Sequence, residues 1–230
     1  ARSWVHLCQQ LCSHVLPEAR RLGDELVRQL ACSAPRLIRH ARRNEGFAKG
    51  QAQEFASWVA QARAQPASWF TPDVPLEQAV GPYLEVFAPA EVTAADFVRD
   101  FGFHDNRYSW TGSTLHRTAV RFGYHAVAIA EIRDLNRHRT GTKHCPLVPQ
   151  GFYDAADQWP HPAGGGHSAL PEPFLHRRET ARKILAEAVG LLRQGDPSYI
   201  YWTLLGTQFP FEHTTTADKF IYEAELRTGV

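Results

Sequence analysis

The sequence predicts an α+β fold, an antiparallel sheet covered by helices and preceded by a helical segment. Three observations carry this. Apolar residues recur at helical spacing through residues 1–66; shorter aromatic and β-branched stretches follow a proline-rich break; and two amphipathic helices lie toward the end of the chain. Over 230 residues, 43% hydrophobic and 21% charged, the composition is that of a folded domain with a sizeable core, and it excludes disorder, collagen and coiled coil.

Taken in order, Trp4, Cys8, Leu11, Cys12 and Val15 share one helical face, and Pro17 suits the first turn of a second helix carrying Leu22, Leu26 and Leu30. Pro35 opens a short third helix, and Phe55, Trp58, Val59 and Ala62 line a fourth. Cys8 and Cys12 fall in the apolar stripe, so they read as small core hydrophobes rather than metal or redox ligands. Arg36, Arg39, Arg42 and Arg43 form a candidate basic helical face; with no aromatic residues interleaved, a solvated surface is the better reading. Pro66, Pro72, Pro75 and Gly81 mark a linker, so the chain divides into a helical segment over 1–66, a linker over 67–82 and an α+β domain over 83–230.

Within that domain Tyr83–Phe87 reads as a strand, and Thr93 with Asp96 caps a helix running through Phe101. A strand is expected over Tyr124–Ile132, a long loop over Trp159–Pro173 and a helix over His176–Arg193 with Ala181, Ile184, Leu185, Ala188, Leu191 and Leu192 on one face. Tyr199–Phe211 is β-like, and Thr214–Arg227 is a capped helix with Ala217, Phe220, Ile221 and Ala224 inward.

Charge narrows the function. Lys and Arg number 25 against 24 Asp and Glu, so the chain as a whole is not a polycation built for DNA or RNA. The first 66 residues hold 10 basic and 5 acidic side chains and the remainder 15 and 19, an asymmetry that points to two units. Cys8, Cys12, Cys32 and Cys145 form no Cys-x-x-Cys pair and no secreted-type framework. With no apolar run near the ~18 residues that span a bilayer and no signal-peptide pattern, the expectation is a cytoplasmic protein without a membrane partner.

The densest polar cluster runs from Arg133 to His144, with four Lys or Arg, two histidines and two threonines after an expected buried strand. Guanidinium forks and hydroxyls at a strand exit suit a pyrophosphate or nucleotide phosphate. A solvated basic loop remains the alternative from composition alone.

The run Ala130-Glu131-Ile132-Arg133-Asp134-Leu135-Asn136-Arg137-His138-Arg139-Thr140 resembles the signature region of the flavin-dependent (alternative) thymidylate synthases. Gln150-Gly151-Phe152-Tyr153, the helix His176–Arg193, Leu204-Leu205-Gly206-Thr207 and Tyr222-Glu223-Ala224-Glu225-Leu226-Arg227-Thr228 follow in the family's order from about Thr114 to Gly229. The resemblance implies transfer of the methylene carbon of methylenetetrahydrofolate to C5 of a uracil nucleotide, dUMP or UMP, with FAD reduced by NADPH. It further implies that Arg137, His138, Arg139 and Thr216 hold FAD, that Asp134, Arg137 and Arg227 hold the nucleotide, and that Arg227 is catalytic, stabilising negative charge as N3 ionises. A pairing of Arg227 with Glu223 one helical turn away is the structural alternative. Family members share sites between subunits, which implies a homo-oligomer, dimer or tetramer. Trp4–Arg43 looks like the closing helices of a first family copy, which would account for the charge asymmetry and the linker and implies a chain that begins partway through a tandem pair. Methionine is absent where about five are expected, which points to lost residues or an unusual fragment.

Departures from the pattern accompany the likeness. Leu147 stands where the family has its signature Ser, Cys145 where it has Glu and Pro149 where it has Arg; Thr216 replaces an Asn that holds flavin. The Arg before the family's Leu-Pro strand is missing from Tyr199-Ile200-Tyr201-Trp202, and Leu115-His116-Arg117-Thr118-Ala119 replaces Glu-His-Ala. Two alternatives therefore stay open: a degenerate, non-catalytic copy serving as a structural or nucleotide-binding partner, and a metal-dependent hydrolase using His138, His144 and Cys145 with His161 and His167.

Overall fold

The computed structural model describes residues 2–66, 82–106, 108–137, 140–153 and 172–228. Most of the expected linker, the loop expected at Trp159–Pro173, His138 and Arg139 therefore lie outside the described residues. The chain forms two compact units, Ala1–Val74 with Arg182–Thr203 and Pro75–Ala181 with Leu204–Val230. No helix among the described residues is long and apolar enough to cross a membrane.

The first unit is helical: α1 (Arg2–Cys12), α2 (Pro17–Ser33), α3 (Pro35–Ile38), α4 (Glu45–Ala64), the later part of α8 (Glu172–Gln194) and a 3-10 turn over Pro197–Trp202. Cys8, Ile38 and Ala41 form a buried cluster packed by Val5, Leu26, Val27 and Leu30. Gly23 lets α2 lie against α1, since a methyl there would sit 2.6 Å from the Cys12 amide nitrogen. Burial, with Asp24 nearby, pushes the Cys12 thiol up to about 11, which suits the inert core role expected of it. Arg193 donates to the carbonyls of Ala62 and Gln65, and Phe55 stacks on buried Tyr199 with centroids 6.3 Å apart. The four arginines from Arg36 to Arg43 do not share a helical face, because α3 stops at Ile38.

The second unit is an antiparallel sheet in the order β1 (Pro82–Phe87), β2 (Ala119–Ala128), β5 (Thr207–Thr216), β3 (Thr142–His144), with β4 (Gly151–Phe152) also pairing β5. Helices α5 (Ala94–Phe101), α6 (Gly112–Arg117), α7 (Ile129–Leu135) and α9 (Ala217–Thr228) complete it, so the α+β class is observed as expected. Thr93 and Asp96 cap α5 reciprocally, as the sequence predicts. Phe209 and Phe211 of β5, both buried, join Val127 and Ile132 in one cluster; Leu115, Val120 and Ala217 form another with Phe97, Phe220 and Ile221. The opposite face is polar. Tyr83 donates to Glu212 at 3.2 Å across β2, and Gly123 leaves room for its ring, because a methyl there would meet the Tyr83 hydroxyl at 2.6 Å.

Three elements differ from expectation. The strand expected over Tyr124–Ile132 is β2 ending at Ala128, followed directly by α7; Ile129, Ile132 and Leu135 reach the core at a spacing of three, and Glu131 accepts from the Ala128 amide. Tyr199–Phe211 is not one β-like stretch: Pro197 and the Asp196 carboxylate, which accepts from the Ser198 amide at 2.8 Å, open a 3-10 turn. Thr214, Thr215 and Thr216 belong to β5, pairing Arg121, Val120 and Ala119, and the last helix starts only at Ala217. Helix α6, unanticipated, is entered through Gly112 at φ +81 and held by the buried Asp100 carboxylate, which accepts from the Thr114 amide at 2.7 Å.

Phe209→Ala should lower unfolding free energy by about 3–5 kcal/mol, the usual loss for a buried aromatic, with a matching drop in the urea midpoint. A loss under about 1 kcal/mol would show that β5 does not carry the core.

Candidate functional site

Four of the landmarks noted in the sequence, all but the helix His176–Arg193, are joined by hydrogen bonds at or beside β5. At the start of α7 the Ala130 amide donates to the Leu205 carbonyl at 3.1 Å. The Tyr153 amide donates to the Gly206 carbonyl at 2.8 Å, and the Gln150 amide to Gln208, also at 2.8 Å. Gly206 has no room for a side chain, since a methyl would meet the Tyr153 carbonyl oxygen at 2.7 Å and the Phe152 ring at 2.8 Å. Toward the other end of β5, the Thr140 hydroxyl donates to the Glu223 carboxylate on α9. Ala130, Thr140, Tyr153, Leu205, Gly206 and Glu223 thus link these four segments by hydrogen bonds.

Four of the residues expected at the site, Asp134, Arg137, Thr216 and Arg227, lie among the described residues. Asp134 and Arg137 lie at the end of α7, where Arg137 Nε meets Asp134 Oδ1 at 3.1 Å. Both are well exposed, so the pair is screened and adds little stability. The contact engages Nε of the guanidinium. Thr216 is the last residue of β5, paired with Ala119 and half-buried, rather than a residue of the last helix. Arg227 falls in the last turn of α9. His138 and Arg139 lie outside the described residues.

Three further residues enter the site: Thr140, His213 and Glu223. His213 is 1% exposed and donates from Nε2 to the Thr140 carbonyl at 2.8 Å. A carbonyl oxygen only accepts, so this contact places a hydrogen on Nε2 and turns Nδ1 toward Glu223 Oε2 at 3.5 Å. Lys143 also donates to the Thr140 carbonyl, at 3.3 Å. Period two along Phe209, Phe211, His213 and Thr215 puts His213 on the buried face, a signal present in the sequence that goes unread when Thr214–Thr216 are assigned to a helix.

The departures at 145–149 have a structural cause. Cys145 and Leu147 pack against the Val127, Ile132, Phe209, Phe211 cluster, and Val148 and Pro149 are buried. Where the resembled family carries polar groups, this chain uses the stretch to close its core. Burial alone pushes the Cys145 thiol up to about 11. No group of three or more His, Cys, Asp or Glu able to hold a metal occurs among the described residues.

No family model matches the sequence, and no curated protein matches it. Among solved structures, the chain is similar to the UMP/dUMP methylase PolB from Streptomyces cacaoi bound with 5-Br UMP, at 18% identity and a TM-score of 0.44 over 65% of this chain and 77% of that one. It is also similar to thymidylate synthase X from Helicobacter pylori with FAD and dUMP, at 14% identity and a TM-score of 0.35 over 59% of this chain and 69% of that one.

Alkylation tests the core placement. At pH 8 a thiol with a pKa of about 11 is ionised to roughly 0.1%, so the folded protein treated with iodoacetamide should label exposed Cys32 and spare Cys145. Peptide mass spectrometry reads the outcome; equal labelling of both would contradict the packing of residues 145–149.

Proposed function

We propose that this chain is a flavin-dependent methylase acting at C5 of a uracil nucleotide, dUMP or UMP. What carries the reading is the hydrogen-bonded assembly of segments that are scattered in sequence, in the order the resembled family has them: Ala130 on Leu205, Tyr153 on Gly206 and Thr140 on Glu223.

The donor chemistry of this segment fits a flavin dinucleotide, whose pyrophosphate calls for guanidinium and hydroxyl groups on a firmly held loop. Arg137, His138, Arg139 and Thr216 would hold FAD. A flavin held there and kept reduced by NADPH would supply the hydride for a carbon donated by methylenetetrahydrofolate. The protein's own part is positioning and charge. Asp134 orients Arg137, and both would reach the nucleotide. Arg227, on the same helix as Glu223, would stabilise the negative charge that develops at N3 of the pyrimidine.

The apolar stretch Cys145–Pro149 favours a second reading, a copy that binds nucleotide or flavin without turnover, because the core occupies positions where the family has contact residues.

Purified protein should be yellow and should release FAD on denaturation, and Arg137→Ala should weaken FAD binding by about tenfold through loss of a charge-assisted contact. Wild-type protein that takes up no flavin on titration would refute the methylase. Release of tritium from 5-tritiated dUMP or UMP, with NADPH and methylenetetrahydrofolate, is expected for the active enzyme. A flavin-loaded sample that releases none from either nucleotide would establish the non-catalytic copy.

A further inference from the structure

Two histidines outside the segments described above pair with carboxylates of α9, and the two pairs are built in opposite ways. His104 Nε2 meets Glu225 Oε1 at 2.5 Å with the imidazole buried, 6% exposed, so that ring is withdrawn from any ligand in solvent. His116 Nδ1 meets Asp218 Oδ2 at 3.1 Å with the burial reversed: the Asp218 side chain is 6% exposed and the imidazole 48%. A carboxylate only accepts, so this contact places the hydrogen on Nδ1. Nε2 of the neutral ring is then an acceptor, with no partner among the described residues. Asp218 Oδ1 is buried and accepts no hydrogen bond among the described residues. The half-exposed Lys219 ammonium, 3.6 Å from Oδ2, adds only a screened attraction, and Arg117 beside His116 is paired with Glu91. The first turn of α9 favours the charged carboxylate, yet a buried oxygen without a donor still costs stability, and stability alone gives no reason to keep it. A buried carboxylate that fixes the tautomer of an exposed imidazole suits proton transfer, because it stabilises the imidazolium that forms.

The register of the sheet sets this pair beside the candidate site. β2 begins at Ala119, β5 ends at Thr216 and β3 begins at Thr142, all at one end of the sheet, and the chain that carries Asp134 and Arg137 enters β3 there. His116 and Asp218 lie just outside the paired ends of β2 and β5, joined by the Ala217 amide, which donates to the Thr118 carbonyl at 2.9 Å. We propose that His116 is a general base of this site, with Asp218 as its positioning residue, and that its Nε2 takes the proton from C5 of the uracil ring. The assignment of the C5 proton rests on the methylase reading. Exchanging the C5 hydrogen for carbon breaks the C5–H bond; the electron pair stays with the ring, delocalised onto the C4 carbonyl oxygen, and the proton passes to Nε2, giving an imidazolium paired with Asp218.

The test uses His116→Gln, which removes the titrating nitrogen at an exposed position, and Asp218→Asn, which keeps the shape and removes the charge. Nitrogen NMR of the imidazoles in the whole chain reads the arrangement without turnover, His116 being assigned by the signal lost in His116→Gln. The wild type should carry its hydrogen on Nδ1, Asp218→Asn should move the ring toward the other tautomer, and saturating dUMP or UMP should shift the His116 signals. Tritium release from the 5-tritiated nucleotide by flavin-loaded His116→Gln should fall by about a hundredfold or more, with KM within about twofold of the wild type. Should Asp218→Asn fail to fold, His116→Gln decides alone. A loss of less than about tenfold, or His116 signals unmoved by bound nucleotide, would overturn the general base and leave the methylase reading standing. A flavin-loaded wild type that releases no tritium would instead refute the methylase reading, and the C5 assignment with it.

Discussion

The second unit depends on the pairing of β5 along both of its edges. One edge carries β2 from Ala119 to Ala128, and the other carries β3 and β4. A strand flanked in this way has its backbone donors and acceptors satisfied by neighbours, so its apolar residues can be buried without stranding polar backbone. The threonines and phenylalanines of Thr207–Thr216 suit that position. The same strand anchors the segments before and after it. Its start bonds to the segments holding Leu204–Gly206 and Tyr153, and its end passes directly into α9, where the Ala217 amide donates to the Thr118 carbonyl. The direction of α9, and so the position of Glu223, follows from where β5 stops.

The core takes up a short stretch of chain that carries polar groups in the resembled family. Residues 145–149 leave β3 and return to β4 close to Phe209 and Phe211, and their side chains close that cluster. Apolar groups there gain burial free energy at about 25 cal/mol per Å², a gain that polar contact groups would forgo. The remaining charged groups, Asp134 and Arg137 at the end of α7, sit at the surface. An exposed ion pair has little stabilising value, which leaves its geometry open to a role in binding.

Much of the organisation was legible in the residues. The four helices of the first part, the capping box at Thr93 and Asp96 and the strand at Tyr83–Phe87 follow from periodicity and capping chemistry that act within a few residues. The boundaries that failed were those where local signals conflict. Val127, Ile129 and Ile132 fit either period, and only packing on Phe209 and Phe211 puts Ile129–Leu135 in a helix. Thr214–Thr216 resemble a helix cap in isolation and become strand because β2 is there to pair with them.

The sequence by itself determined the α+β class, the basic cluster after Ala130 and the order of its landmarks, since composition and short-range periodicity are properties of neighbouring residues. Only the tertiary structure decided that Leu147 and Cys145 serve the core, that Thr216 ends a strand, and that His213 and Glu223, ten residues apart, converge on Thr140. Those contacts join residues 73 and 83 positions apart, and a polar group's role when buried is set by which partner the fold brings to it, a relation that no local pattern encodes.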